Sequence, residues 1–269
     1  MLLISDLDGT LLTSDKTISD RTRKAIAAFI DAGNTFAIGT GRALSNVLAM
    51  KKELGLTMPG IPVIAYNGVQ IYDADRDFLI FDDFLDPETV SKVMDIAREL
   101  KLHCHTYQEE KVVATEWDEP LEAYLSVVKM PYLITDDLKG VIEKGPFPKL
   151  MLCVELKKPE KLLEMKQCLE EKVPEVVAFL SNREYLDIFP AGTDKGRALR
   201  ILGEYLGVPE EEILAAGDAE NDAPMLKAAG FSIAMKNADQ ALKKAADYVT
   251  EQDNDHDGMA LVLERLTNV

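Results

Sequence analysis

The sequence predicts an α/β fold, a doubly wound parallel sheet interrupted by an inserted α/β domain. Three observations predict it. Short apolar runs alternate with amphipathic helical stretches at both ends of the chain, the pattern of crossover units on a parallel sheet. Two of those runs, Leu2-Leu3-Ile4 and Ile213-Leu214-Ala215-Ala216, lead into carboxylates, at Asp6 and Asp8 and at Asp218. In the stretch between the two ends, strands outnumber crossover helices, as in a partly antiparallel domain of its own. The 269 residues allow one large domain or two modest ones. The division expected here is a core of residues 1–84 and 186–269 with residues 85–185 inserted.

Residues 2–5 are the first strand. A helix follows over 19–32, with Ser19 as N-cap and Gly33 as the stop. Residues 35–38 are the second strand, followed by Gly39-Thr40-Gly41-Arg42 and a helix to about Leu54. Residues 61–65 are the third strand and end at Tyr66-Asn67-Gly68. This order implies a Rossmann-like sheet whose strands deliver Asp6, Asp8, Thr40 and Asn67 to one edge, where open α/β sheets bind ligands. Residues 69–72 and 78–81 flank a polar turn as a hairpin. Pro87, after Asp86, suits the first position of the next helix. The insert reads as strands at 102–106 and 111–114, a helical stretch, a strand at 149–156, a helix at 159–172 and strands at 176–180 and 185–189. Alternation then resumes: a helix over 195–206, the strand 213–216 ending in Gly217-Asp218, a helix, the strand 231–234, a helix, the strand 248–250 and a last helix.

Composition narrows the function. Hydrophobic residues make up 47% of the chain, enough for a sizeable core. The net charge of -17 comes with no concentrated basic stripe, which argues against nucleic acid and against anionic membrane surfaces. An anionic small molecule remains compatible, because helix N-termini, a lysine or a metal can make one site locally positive. Cys104, Cys153 and Cys168 are sparse and unpaired in spacing, which reads as reduced thiols. No apolar run is long enough to span a bilayer, and the N-terminus does not resemble a signal peptide. The expectation is a soluble, cytoplasmic protein.

The chemistry-bearing residues come in four places. Asp6 and Asp8 share one side of an extended chain and repel each other unless a cation or a shared proton relieves them. Asp-Gly-Thr is also good turn chemistry, so the pair alone does not decide. Gly217-Asp218-Ala219-Glu220-Asn221-Asp222 is a second acid-ended strand, and such oxygen ligands suit Mg²⁺ together with a phosphate. Acids at a helix N-terminus account for Glu220 but poorly for the whole cluster. Thr40-Gly41-Arg42 offers a hydroxyl and free amides to a phosphate oxygen, or is an ordinary helix start. It is neither a dinucleotide fingerprint nor a P-loop. Lys195 stands in a first helical turn, where its charge opposes the macrodipole. That cost suggests a local partner, against the plain reading of a solvated surface lysine.

In this order the Asp6-Leu7-Asp8-Gly9-Thr10 run, Thr40, Lys195 and the Gly217 to Asp222 cluster resemble the four motifs of the haloacid dehalogenase-like phosphatases. The long insert between Asn67-Gly68 and Lys195 resembles the α/β cap domain of the Cof-type sugar phosphatase subgroup, and Asp257-Gly258-Met259-Ala260-Leu261 fits that subgroup too. The resemblance implies that Asp6 is the nucleophile and Asp8 the general acid and then base. It implies that Asp6, the Asp8 backbone carbonyl and Asp218 hold Mg²⁺. Phosphate oxygens would fall to Thr40, the amides of Leu7 and Gly41, Lys195 and Asn221. Asp222 would orient Lys195 or a metal-bound water, with Arg42 and Asn67 supporting the site. The implied activity is Mg²⁺-dependent hydrolysis of a small, sugar-phosphate-like metabolite through an aspartyl-phosphate, by a monomer or homodimer. Dehalogenases lack the second aspartate, so Asp8 points to ester hydrolysis. The alternatives are a sugar phosphomutase and a non-catalytic phospholigand sensor.

Weaker signals remain. Asp253-Asn254-Asp255-His256-Asp257-Gly258 with Glu264 satisfies the calcium-loop pattern of an EF-hand, but it follows a strand and leaves too little chain for an outgoing helix. It reads as a loop before the last helix. His103 and His105 share one face of a strand, read as half exposed. Trp117 and Tyr124 read as local packing residues. Lys236 stands before Asn237, where the resembled family often has Gly.

Overall fold

In the computed structural model, which describes residues 1–108, 111–128, 130–136, 140–141, 143, 145–153, 160–180 and 183–267, strand β1 (Leu2–Asp6) is buried along its whole length. A continuous apolar run fits a strand covered on both faces. β1 lies between β2 (Thr35–Gly39) and, numbering strands along the chain, β12 (Ile213–Gly217). Outward from β2 come β3 (Val63–Ala65), β4 (Gln70–Asp73) and β5 (Phe78–Asp82). Outward from β12 come β13 (Phe231–Ala234) and β14 (Tyr248–Val249). The six strands from β14 to β3 are parallel, and the expected hairpin β4–β5 extends the same sheet antiparallel. The chain winds away from β1 in both directions, which makes the carboxyl end of β1 the topological switch point.

The helices of this unit follow their local signals. Helix α1 (Asp20–Asp31) is capped by Ser19, whose hydroxyl accepts from the Thr22 amide at 3.0 Å. Helix α2 (Leu44–Glu53) follows β2. The unit spans Met1–Asp82 and Asp194–Val269, and the second unit spans Asp83–Thr193. Among the described residues no helix is long and apolar enough to cross a membrane.

The second unit has its own sheet: β6 (His103–Gln108), β7 (Lys111–Ala114), β8 (Tyr132–Ile134), β9 (Leu150–Cys153), β10 (Val176–Leu180) and β11 (Tyr185–Pro190). Their spatial order is β10-β11-β9-β6-β7-β8, antiparallel except between β7 and β8. Strand β8 has no counterpart in the sequence reading, because three exposed residues carry no alternation to read. The boundary expected at 186 falls inside β11. That strand pairs with β9 and β10 and so belongs to the inserted unit, with the chain leaving that unit after Thr193. The strand expected over 149–156 is described only as far as Cys153, and residues 154–156 lie outside the described residues.

Helix α3 (Pro87–Glu99), capped by Asp86, and helix α5 (Glu160–Lys172) bury apolar residues on one sheet face, around Val90, Val93, Leu150, Leu152, Leu162 and Ile188. Helix α4 (Glu119–Val128) lies between them in sequence and packs with the other face, where Tyr107, Val112, Leu121, Tyr124 and Met151 cluster. His103 and His105 point to that second face and are both buried, not half exposed. The difference comes from α4, whose Tyr124 ring sits 4.7 Å from the His105 ring.

A hydrogen-bonded chain runs through this layer. Asp118 Oδ2 meets His103 Nδ1 at 2.8 Å, His103 Nε2 meets His105 Nδ1 at 3.0 Å, and His105 Nε2 meets the Tyr107 hydroxyl at 3.2 Å. Tyr107 in turn bonds Tyr124. One proton order satisfies every link with both histidines neutral: His103 donates to Asp118, His105 to His103, Tyr107 to His105 and Tyr124 to Tyr107. Burial lowers the pKa of His103 in spite of Asp118, and lowers that of His105 far below the ordinary value.

The unfolded chain therefore binds these protons first, and stability falls as pH drops below the unfolded histidine value. Between pH 7.5 and 5.5 a histidine held neutral throughout, as His105 is, removes about 1 kcal/mol. Urea unfolding at the two pH values should show the wild type losing more stability, or gaining less, than His105→Gln as the pH falls, the difference being about that amount. An unchanged pH dependence in the variant would contradict a neutral buried His105.

Candidate active site

Asp6 is the last residue of β1 and lies at the switch point. Asp218 directly follows β12, the neighbouring strand, so parallel pairing brings the two acids to one edge. Lys195 opens helix α6 (Lys195–Leu206), which Asp194 caps by accepting from the Arg197 amide at 2.7 Å. The Lys195 side chain is fully buried, and its Nζ donates to Asp6 Oδ1 at 2.5 Å and to Asp222 Oδ1 at 2.6 Å. Asp222 Oδ2 accepts from the amides of Asp218 at 3.0 Å and Ala219 at 3.1 Å. Both its oxygens are thus engaged, which suits Asp222 to hold Lys195 and the 218–222 turn in place. Asp218 Oδ1 accepts from the Thr10 hydroxyl at 2.9 Å. Gly9 makes this approach possible: its φ is +82°, and a Cβ there would lie 2.4 Å from Asp218 Oδ2.

Carboxylate oxygens of Asp6, Asp218 and Asp222 all lie within 4.8 Å of one another. The electrostatic cost is visible in the acids. Burial, with Asp222 and Asp218 nearby, pushes Asp6 up to about 8, although Lys195 pulls the other way. Burial and the Asp222 charge push Asp218 up to about 6 against the Thr10 hydrogen bond. Burial works against the Lys195 ammonium, but Asp6 and Asp222 outweigh it and raise its pKa. Hard oxygen donors in a group with excess negative charge fit a cation such as Mg²⁺.

Asp8 stands apart from this group. Arg42 grips it with two bonds, Nε to Oδ2 and Nη2 to Oδ1, each 2.7 Å. Lys16 Nζ reaches Oδ1, also at 2.7 Å. Burial opposes the charge on Asp8, but these hydrogen bonds and charges outweigh it and lower its pKa.

The candidate phosphate ligands form a further linked set. Thr40, just past β2, is buried, and its hydroxyl accepts from the Arg42 amide at 3.2 Å. The Asn67 amide donates to the Thr40 carbonyl at 2.9 Å. Asn67 sits past β3 in the left-handed region, at φ 56°. A Cβ on Gly41 would lie 3.2 Å from Asn67 Oδ1, and Asn221 Nδ2 donates to that same oxygen at 3.4 Å. The carbonyl of Leu7 accepts from the Leu12 amide, closing the turn after β1. Lys236 is exposed, and its amide donates to Thr250 Oγ1 at 2.8 Å.

The sequence reading missed Thr10 and Lys16. Thr10 was legible in principle, as the hydroxyl of the acid-bearing turn. Lys16 was not, since a single lysine in a polar loop has no pattern.

Known proteins resemble this chain over nearly its whole length. A family model of haloacid dehalogenase-like hydrolases matches residues 3–263. The 5-amino-6-(5-phospho-D-ribitylamino)uracil phosphatase YwtE of Bacillus subtilis is 31% identical, over 97% of this chain and 96% of its own. The crystal structure of a haloacid dehalogenase-like hydrolase from Bacteroides thetaiotaomicron superposes with a TM-score of 0.87 at 31% identity, covering 98% of each chain. That of TM0651 from Thermotoga maritima gives 0.86 at 32% identity, covering 98% of this chain and 96% of the other. With the acids of β1 and β12 and the lysine of α6 at one sheet edge, and the family matched from residue 3 to residue 263, this chain belongs to the haloacid dehalogenase-like hydrolases.

Proposed function

We propose that this hydrolase is a Mg²⁺-dependent phosphatase of small, sugar-phosphate-like monoesters that works through an aspartyl-phosphate on Asp6. The observation that carries the reading is the gathering of Asp6, Asp218 and Asp222, two of which, Asp6 and Asp222, meet on the buried Lys195 ammonium. Phosphoryl transfer needs mainly positioning and charge neutralisation, and this group supplies anchors for both.

Asp6 and Asp218 would hold Mg²⁺, with the Asp8 backbone carbonyl, and the bound ion would offset charge on the phosphoryl oxygens. An Asp6 carboxylate oxygen attacks phosphorus, forming the acyl-phosphate bond. The bond from phosphorus to the sugar oxygen breaks, and Asp8, which takes up a proton once substrate has drawn it from Arg42 and Lys16, gives that proton to the oxygen. Water then attacks phosphorus, passes a proton to Asp8 and breaks the bond to Asp6, releasing phosphate. Lys195, Asn221, Thr40 and the amides of Leu7 and Gly41 hold the phosphoryl oxygens. Asp222 keeps Lys195 in place. The YwtE relative is named for a phosphorylated ribityl substrate, which supports a phosphorylated sugar or sugar alcohol here.

A phosphate-release assay over sugar phosphates, 5-amino-6-(5-phospho-D-ribitylamino)uracil and p-nitrophenyl phosphate tests the reading. Release should require Mg²⁺, stop with EDTA, and fall on the order of 10⁴-fold or more in Asp6→Asn. Metal-independent release, or an active Asp6→Asn, would contradict it. Isomerised sugar phosphate without free phosphate would indicate the mutase.

Lys195→Met leaves buried carboxylates without their cation. In EDTA-treated protein its urea unfolding should report a loss of about 3–5 kcal/mol. An unchanged midpoint would show that the acids do not depend on Lys195.

A further inference from the structure

We propose that Lys16 is a positioning residue for Asp8, held at its post by the aspartate-rich 253–258 segment. This rests on the phosphatase reading, in which Asp8 handles the leaving-group proton. Lys16 is a non-glycine residue in the left-handed region, at φ 59°, a conformation that persists only where its surroundings enforce it. Here a tight loop enforces it. The Thr13 amide donates to the Thr17 carbonyl and the Lys16 amide to the Thr13 carbonyl, each at 2.9 Å. The Thr13 and Thr17 hydroxyls close the same loop at 2.9 Å.

The loop is in turn bracketed from the far end of the chain. Asp255 accepts from both the amide and the hydroxyl of Ser14, each at 2.7 Å. Asn254 Nδ2 donates to the Leu12 carbonyl at 2.9 Å, and Asn237 Nδ2 to the Gly9 carbonyl at 2.7 Å. The Ser19 hydroxyl donates to Asp257 Oδ1 at 2.5 Å. The segment that imitates a calcium loop thus spends Asp255, Asp257 and Asn254 on the backbone and hydroxyls of residues 12–19. From that bracketed loop the Lys16 ammonium meets Asp8 Oδ1.

Arg42 and Lys16 divide the work. Arg42 holds both oxygens of Asp8 and is itself tied to helix α2, its Nη1 donating to Asn46 Oδ1 at 3.3 Å. It is the fixed support. Lys16, with 55% of its side chain exposed, has a flexible stem that can follow the carboxyl group or release it. Lys16 sets where the Asp8 carboxyl group rests, and thus the point from which it turns to a leaving oxygen.

The substrate pair that tests this differs in its need for a proton. A sugar alkoxide must be protonated to leave, whereas p-nitrophenolate leaves as a stable anion. In single-turnover measurements Lys16→Met and Asp255→Ala should slow phosphoryl transfer from a sugar phosphate about tenfold and leave the burst of p-nitrophenolate nearly unchanged, while Lys16→Arg should keep both rates near wild type. A crystal structure of Lys16→Met should show the Asp8 carboxyl group moved or spread over several rotamers. Equal losses in the two transfer steps, no loss in either, or an unmoved Asp8 would overturn the proposal. Wild-type protein that turns over neither substrate would instead sink the phosphatase reading, and the Asp8 position in the Lys16→Met crystal would still decide the role of Lys16.

Discussion

Three neighbouring carboxylates, two of them held by one buried ammonium, set the terms for the core unit. Like charges so close, and so far from bulk water, are costly unless positive charge is placed among them. The fold meets this with Lys195 at the start of α6, drawn to Asp6 from β1 and to Asp222 from the turn after β12. Much else follows from holding that group together. β1 must sit beside β12, as the parallel register requires. Gly217 must lack a side chain, since a Cβ there would lie 2.5 Å from the Asp222 Cβ. Lys195 does not neutralise the group, however, since it is one ammonium among three carboxyl groups. The remaining excess of negative charge is what a divalent cation would answer.

The parts of the fold that were legible in the sequence are those whose signal is local. β1 and β12 are apolar runs followed by acids, and a strand buried on both faces leaves that mark. Lys195 was legible through its awkwardness, since a cation opposing a helix dipole needs a partner nearby. The elements that were not legible depend on distant pairing. β11 looks like any core strand, and only its neighbours β9 and β10 place it in the inserted sheet. β8 is too short and exposed to show a period. The polar chain from Asp118 to Tyr124 exists because α4 covers a sheet face, which no spacing within β6 announces. Lys16 reaches Asp8 across a loop whose shape is set by residues more than two hundred positions away.

The two aspartate-rich segments make an instructive contrast. Asp6, Asp218 and Asp222 bring carboxylate oxygens together in a partly buried group. Asp253, Asp255 and Asp257 turn theirs to amide, hydroxyl and imidazole donors of the chain itself. The second set matches a metal-loop pattern by spacing and the first does not. What separates them is whether the carboxylates face one another, as they do within 4.8 Å in the first set, a property of the folded arrangement.

The most direct test of the central claim is calorimetric titration of the metal-free protein with Mg²⁺, without substrate. A cation site made by Asp6 and Asp218 predicts saturable binding in the wild type, a loss of at least about tenfold in affinity in Asp218→Asn, and unchanged binding in Asp253→Ala. Binding that survives Asp218→Asn, or that is lost in Asp253→Ala, would contradict it.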